Sequence, residues 1–256
     1  ALGDEIRRDG QIWMIEPRRL AARAAAARLA ASLEEAVGQR IGFAVRGEQR
    51  RSARTQVEVI TDGLFLRRLQ ADPSLDGVSC VLFDEFHERR RDADLAFALL
   101  REAAPLLRPD LSLMLMSATL DIADLRSRLP EATVLTSEGR AHPVDTLHQP
   151  PRTDEPLPQQ VLRAVETHGL DLPKGSGVLV FLPGLAEIER CRERLEHADA
   201  LRHWQICPLH GQLPLESQSD ALKRCPANRD GKLVLASGIA ESSVTIDGVR
   251  LSLIHI

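Results

Sequence analysis

Asp84 and Glu85 stand side by side at the end of an apolar run in the stretch CVLFDEFHERR, residues 80–90. An ionised carboxylate is costly to bury unless a cation or hydrogen bonds compensate it, so an oily strand ending in two of them points to a bound cation. In this reading both are metal candidates. Asp84 holds Mg2+ through water, because Mg2+ sheds its waters reluctantly. Glu85 orients and deprotonates an attacking water. The competing reading makes Asp84 a simple helix cap. His87 adds a second possibility, a hydrolytic metal centre with Asp84 and Glu85. The chain has no HxH or HxxxH pair to supply further imidazoles, and the other seven histidines are dispersed.

Other small polar clusters share that position after an apolar run. Ser117 and Thr119 in MLMSATL follow one such run, and alternate side chains of an extended segment point the same way. Pro17, Arg18 and Arg19 occupy a strand-to-helix turn, where N–H groups and guanidinium forks can hold phosphate. Arg23 and Arg28 lie further along the same helical stretch. Thr61, Asp62 and Gly63 make a tight turn that could approach a phosphate backbone. In the second half, FLPGLAEIE (181–189) and LASGIAESSVTIDG (235–248) repeat the pattern. Each has a bland alternative as a cap, turn or solvated face.

These clusters need elements to carry them. Short apolar runs at 12–15, 57–60, 78–83, 111–116 and 133–136 alternate with helical stretches, including an alanine-rich one from about Arg18 to Ser32. Continuous apolar runs separated by helices predict an α/β fold with parallel sheets covered on both faces. The proline- and charge-rich stretch HQPPRTDEPLP (148–158) has the composition of a surface linker. A second α/β series follows it, with strands expected at 178–182, 204–207, 232–236 and 249–253. Ligands of open parallel sheets bind at the carboxyl ends of strands, where all these clusters fall.

The 256 residues carry 43% hydrophobic and 27% charged side chains, a globular balance, and no apolar run is long enough to span a bilayer. Net charge is −4, so bulk electrostatics does not announce a polyanion partner. Aromatics are 3% with no tyrosine, which disfavours an aromatic stacking platform for nucleic acid. Four cysteines without CxxC spacing argue against a zinc site or a disulfide framework and fit a reducing cytoplasm.

In order, EPRR, TDG, DEFH, SAT, FLPG and SGIAESSVTIDG form one colinear series. It resembles the DEAH-box branch of superfamily 2 helicases, and within it the bacterial HrpB-like ATP-dependent RNA helicases, from about Gln11 to Arg250. The resemblance implies two tandem RecA-like domains, both incomplete at the chain ends, spanning 1–138 and 159–256 with a linker at 139–158. It also implies ATP and Mg2+ as cofactors and a single-stranded nucleic acid, RNA rather than DNA, as partner. The nucleotide is expected between the domains, with His87 relaying its state and Ser117 and Thr119 coupling hydrolysis to strand movement. Arg28 matches an arginine placed against adenine. Pro17, Arg18, Arg19, Thr61, Asp62 and Gly63 match backbone-gripping segments, as do Pro183, Gly184, Ser237 and Thr245. Glu241 and Asp247 match nucleotide contacts, Asp247 at the ribose.

The chain also departs from the family pattern. It contains no GxxxxGK[ST] phosphate loop, and the arginine-finger motif is absent. Gly238 replaces a usual asparagine, no aromatic near Leu222–Pro226 matches the adenine-sandwiching residue, and LSLIHI departs from the expected final strand. The expectation is therefore an internal fragment of a helicase that is inactive alone. The alternatives are a non-catalytic nucleic-acid-binding module of the same shape and, less favoured, the metal-dependent hydrolase.

Overall fold

The computed structural model describes residues 10–118, 122–137, 143–238 and 245–254. The chain forms two compact units, Ala1–Val134 and Leu135–Ile256. The first begins with strand β1 (Gln11–Glu16), helix α1 (Arg19–Ser32), β2 (Ile41–Val45), β3 (Glu48–Arg50) and β4 (Val57–Thr61). Helix α2 (Asp62–Ala71), β5 (Val78–Phe83), a single turn (Phe86–Glu88), α3 (Arg91–Leu107), β6 (Ser112–Leu115) and α4 (Ile122–Arg128) follow. Among the described residues the sheet order is β3-β2-β4-β1-β5-β6.

Every neighbouring pair in this sheet is parallel except β2 and β3. The sheet is therefore mixed, a correction to the all-parallel expectation. Val45 pairs with Glu48, so Arg46 and Gly47 alone make the hairpin turn, with Gly47 at φ +83°. The strand expected at 133–136 is not formed. Those residues lie in irregular chain, mostly exposed, because four residues after Pro130 find no partner strand among the described ones.

Register sets the site. Glu16 pairs with Thr61, Ile15 with Phe83, and Phe83 with Leu115. The carboxyl ends of β4, β1, β5 and β6 therefore lie next to one another. An edge-to-face run of rings, Trp13 to Phe65 to Phe83 and on to Phe86 and Phe97, fills the core beneath them. Fully buried Glu58 on β4 accepts from Arg68 of α2 at 2.9 Å and from Arg51 beyond the hairpin at 3.4 Å. This compensates a charge that would be prohibitive alone, and ties hairpin and helix to one strand.

The second unit carries α5 (Leu157–Ala164), continued by one wide turn (Val165–Gly169), then β7 (Ser176–Phe181), α6 (Leu185–Glu196), β8 (Trp204–Leu209), α7 (Leu215–Leu222), β9 (Gly231–Ala236) and β10 (Val249–Ile254). Its sheet, in the order β10-β7-β9-β8, is parallel throughout. Buried Lys232 on β9 donates to the carbonyls of Asp220 and Lys223, closing the carboxyl end of α7. No helix among the described residues is long and apolar enough to cross a membrane.

Gly231 packs against the face of Trp204, and a Cβ added there would meet indole carbons at 2.7–2.8 Å. Overpacking of this kind costs about 1–3 kcal/mol. Gly231→Ala is expected to lower the urea midpoint of the second unit accordingly, with an unchanged far-UV spectrum before the transition. An unshifted midpoint would show that Trp204 can move aside.

Candidate functional site

Asp84 follows β5, and its N–H donates to the carbonyl of Ile15 at 3.0 Å, holding the strand end against β1. Its Oδ1 accepts from the N–H of Glu85 at 2.8 Å. Glu85 then adopts the left-handed conformation, φ 50° and ψ 35°, which reverses the chain into the turn 86–88. A non-glycine residue there is strained by roughly 1–2 kcal/mol and needs support. Phe86 supplies it by packing against Phe83 and Phe97, with the guanidinium of Arg89 5.6 Å from its ring centre. The two carboxylates are thus held at the sheet edge by a buried aromatic anchor.

Ser117 is brought beside them. Met116 N–H donates to Phe83 O at 2.8 Å, and Phe86 N–H donates to Met116 O at 3.0 Å, so the strand ends run together up to Ser117. Thr119 and Glu241 lie outside the described residues. The imidazole of His87 comes within 3.4 Å of Glu85 through Nε2, while its buried Nδ1 has no hydrogen-bond partner among the described residues. No group of three His, Cys, Asp or Glu able to hold a metal occurs among the described residues, so Asp84, Glu85 and His87 do not form a three-ligand cage. That removes the geometric support for the hydrolase alternative.

Sequence reading missed Glu16. It is the last residue of β1 and is 3% exposed. Burial, then repulsion from Asp84 and a hydrogen bond to it, then the charges of Glu85 and Glu88, push its carboxyl up to about 8. It is therefore protonated at neutral pH and donates to Asp84. The signal was available in principle, since adjacent parallel strands ending at Glu16 and Phe83 bring residues 16 and 84 together. Beside neutral Glu16, the carboxylates of Asp84, Glu85 and Glu88 crowd one strand edge and make its field negative. All the donors are hard oxygens, and Mg2+ characteristically uses only one or two carboxylates beside waters and phosphates. The residues present fit that ion.

The gripping turns lie alongside. A groove of about 910 Å3 is lined by Pro17, Arg19, Thr61, Asp62 and Gly63, together with Arg46 and Gly47 at the hairpin tip and Arg67 and Arg91; Arg68 and Arg90 also reach it, but their guanidinium groups are taken up by Glu58 and Asp62. The hairpin contribution was invisible without the β2–β3 pairing. Arg18 turns to the other side, 3.6 Å from Glu88. Asp62 is buried, accepting from Arg90 Nε at 2.6 Å and from Gly63 N–H at 2.7 Å. Its carboxylate is committed to the protein and is not presented to a phosphate. Arg28 is exposed on the outer part of α1.

In the second unit, Leu182 N–H donates to Ala236 O at 2.8 Å, which sets Pro183 and Gly184, the start of α6, beside Ser237 after β9. Asp247 lies elsewhere. Its N–H donates to Leu222 O at 3.3 Å, at the edge where β7 and β10 begin, and Thr245 is exposed two residues before it.

No family model matches the chain. It is 44% identical over 246 residues to the ATP-dependent RNA helicase HrpB of Escherichia coli, covering 95% of this chain and 30% of that protein. It is 33% identical over 243 residues to the ATP-dependent RNA helicase HrpA homolog of Haemophilus influenzae, covering 94% of this chain and 18% of the relative. It is 34% identical over 245 residues to a probable ATP-dependent RNA helicase, DHX34, of Mus musculus, covering 92% and 21%. The crystal structure of the Escherichia coli DEAH/RHA helicase HrpB superposes with a TM-score of 0.83 at 41% identity, over 96% of this chain and 31% of that one. The chain thus spans about a third or less of these relatives.

Proposed function

We infer, from this chain's homology to the DEAH-box RNA helicases of the HrpB type, that its residues serve an ATP-dependent helicase moving along single-stranded RNA. The observation that carries this reading is the shared sheet edge. The acidic pair, Ser117 and the Pro17–Arg19 and Thr61–Gly63 turns follow neighbouring strands of one sheet. Asp84 would hold Mg2+ through water, and Glu85 would orient the water that attacks the γ-phosphate. The ion, when bound, offsets charge on the β- and γ-phosphates.

The arginine-lined groove fits a phosphate backbone, and the grip there is independent of base sequence. Arg19, Arg46, Arg67 and Arg91 are its cationic contacts, and Pro183, Gly184, Ser237 and Thr245 are the corresponding contacts in the second unit. Arg28 is assigned to adenine, and Asp247 and Glu241 to the rest of the nucleotide. The two halves, 1–138 and 159–256 around the connector 139–158, act as the RecA-like pair. The free, scattered cysteines suit a reducing cytoplasm.

Two results test this reading. The 256 residues contain no GxxxxGK[ST] loop, so by themselves they are expected to bind single-stranded RNA but not to turn over ATP. Each neutralised phosphate of a single strand contributes about 0.7 to the salt slope, so fluorescence anisotropy should give a log–log slope of roughly −2 to −3. A slope near zero would remove the groove from the track. Multiple-turnover ATP hydrolysis by these residues alone would refute the assignment of phosphate positioning to a loop they lack.

A further inference from the structure

Asp62 belongs to a turn expected to touch nucleic acid, yet a carboxylate repels phosphate and this one faces inward. Its side chain is 8% exposed, and its Oδ2 accepts from Arg90 Nε at 2.6 Å. Arg90 is the N-cap residue just before α3, close after the turn that leaves the acidic pair. One ion pair therefore joins the turn after β4 to the segment leaving Asp84 and Glu85. A second, longer pair, Arg18 to Glu88 at 3.6 Å, does the same from the turn after β1. The segment they hold is strained at both ends, with Glu85 at φ 50° and Arg89 at φ 49°, a conformation that persists only where the surroundings impose it. A cavity of about 10 Å3, room for one water, lies between Glu16, Asp62, Asp84 and Arg90. Asp62 and Arg90 thus sit directly behind the metal carboxylates.

We propose that Arg90 is a positioning residue that, through Asp62, transmits the state of the acidic pair to the Thr61–Gly63 turn, and so couples RNA binding to ATP hydrolysis. The proposal rests on the helicase reading above. Neither residue is needed for the chemistry itself. Arg90 has no reacting atom beside it, and Asp62 cannot hold phosphate. The pair joins the two turns directly, and a coupling of this kind is a free energy shared between sites, typically about 5–150-fold in affinity.

The test uses an enzyme containing these residues, assayed for steady-state ATP hydrolysis with and without single-stranded RNA. Arg90→Gln is expected to leave RNA-free turnover and the KM for ATP within about two-fold while cutting the stimulation by RNA about ten-fold or more. Arg90→Lys, which keeps a cation within reach of Asp62, should retain most of the stimulation. Asp62→Asn should lose as much stimulation as Arg90→Gln, and the double variant no more than either, because both remove the same interaction. Undiminished stimulation in Arg90→Gln, an additive double variant, or an equal fall in RNA-free turnover would each overturn the coupling role. No RNA stimulation in the unsubstituted enzyme would overturn the helicase reading itself.

Discussion

Glu85→Gln in an enzyme containing these residues is expected to lower RNA-stimulated ATP hydrolysis by about 10²–10⁴-fold, the usual contribution of a positioned general base. The substitution preserves size, the left-handed backbone at φ 50° and the carbonyl that accepts from Glu88 N–H at 2.9 Å. It removes only the basic oxygen. Binding should therefore survive, with the KM for ATP and the affinity for RNA changed by no more than a few-fold, so the loss appears in kcat. That split distinguishes a lost transition-state interaction from lost binding. A variant keeping more than about a tenth of normal turnover would take Glu85 out of that role.

Glu16→Gln is expected to change how the stability of the first unit depends on pH. The folded carboxyl is raised from 4.5 to about 8, so between those values the folded chain keeps a proton that the unfolded chain releases. Stability then falls as pH rises, by up to about 1.4 kcal/mol per unit, on the order of 4 kcal/mol across the window. The contribution is complete below the unfolded value and is lost through the folded one. Glutamine offers Asp84 a neutral donor at every pH, so the variant should have a flat profile and exceed the parent at pH 8. Denaturant unfolding of the metal-free chain between pH 5 and pH 8 measures this. Equal slopes for parent and variant would show that Glu16 is not the group carrying the proton.

Much of this was readable in the residues. Apolar runs ending at Glu16, Thr61 and Phe83 located three strands, because a strand buried on both faces needs no alternation to be seen. Their shared edge followed from the parallel arrangement, and with it the neighbourhood of the acidic pair. The hairpin was not readable. IGFAVRGEQR offers only three residues for its second strand and an Arg-Gly turn in place of the usual Asn-Gly or Asp-Gly. The run TVLT had the composition of a strand but pairs with none among the described residues. Asp62 shows a different limit. Residue type suggested a turn near phosphate, but only the inward rotamer and the guanidinium of Arg90 reveal that the carboxylate works within the protein. Glu16 was hidden for a similar reason, since its protonation depends on burial and then on charges 68 to 72 residues away in sequence.

Trp13 lies on β1 with the Arg68 guanidinium 4.8 Å above its ring, and Trp204 lies in the other unit against Gly231. They are the only tryptophans, and the chain has no tyrosine. Each half of the molecule thus owns a single near-ultraviolet fluorophore in its own setting. Trp13→Phe would leave an emission that follows only the carboxyl-terminal half, and Trp204→Phe one that follows only the amino-terminal half. Melting, ligand titration or rapid mixing can then be followed separately in each, with no dye attached.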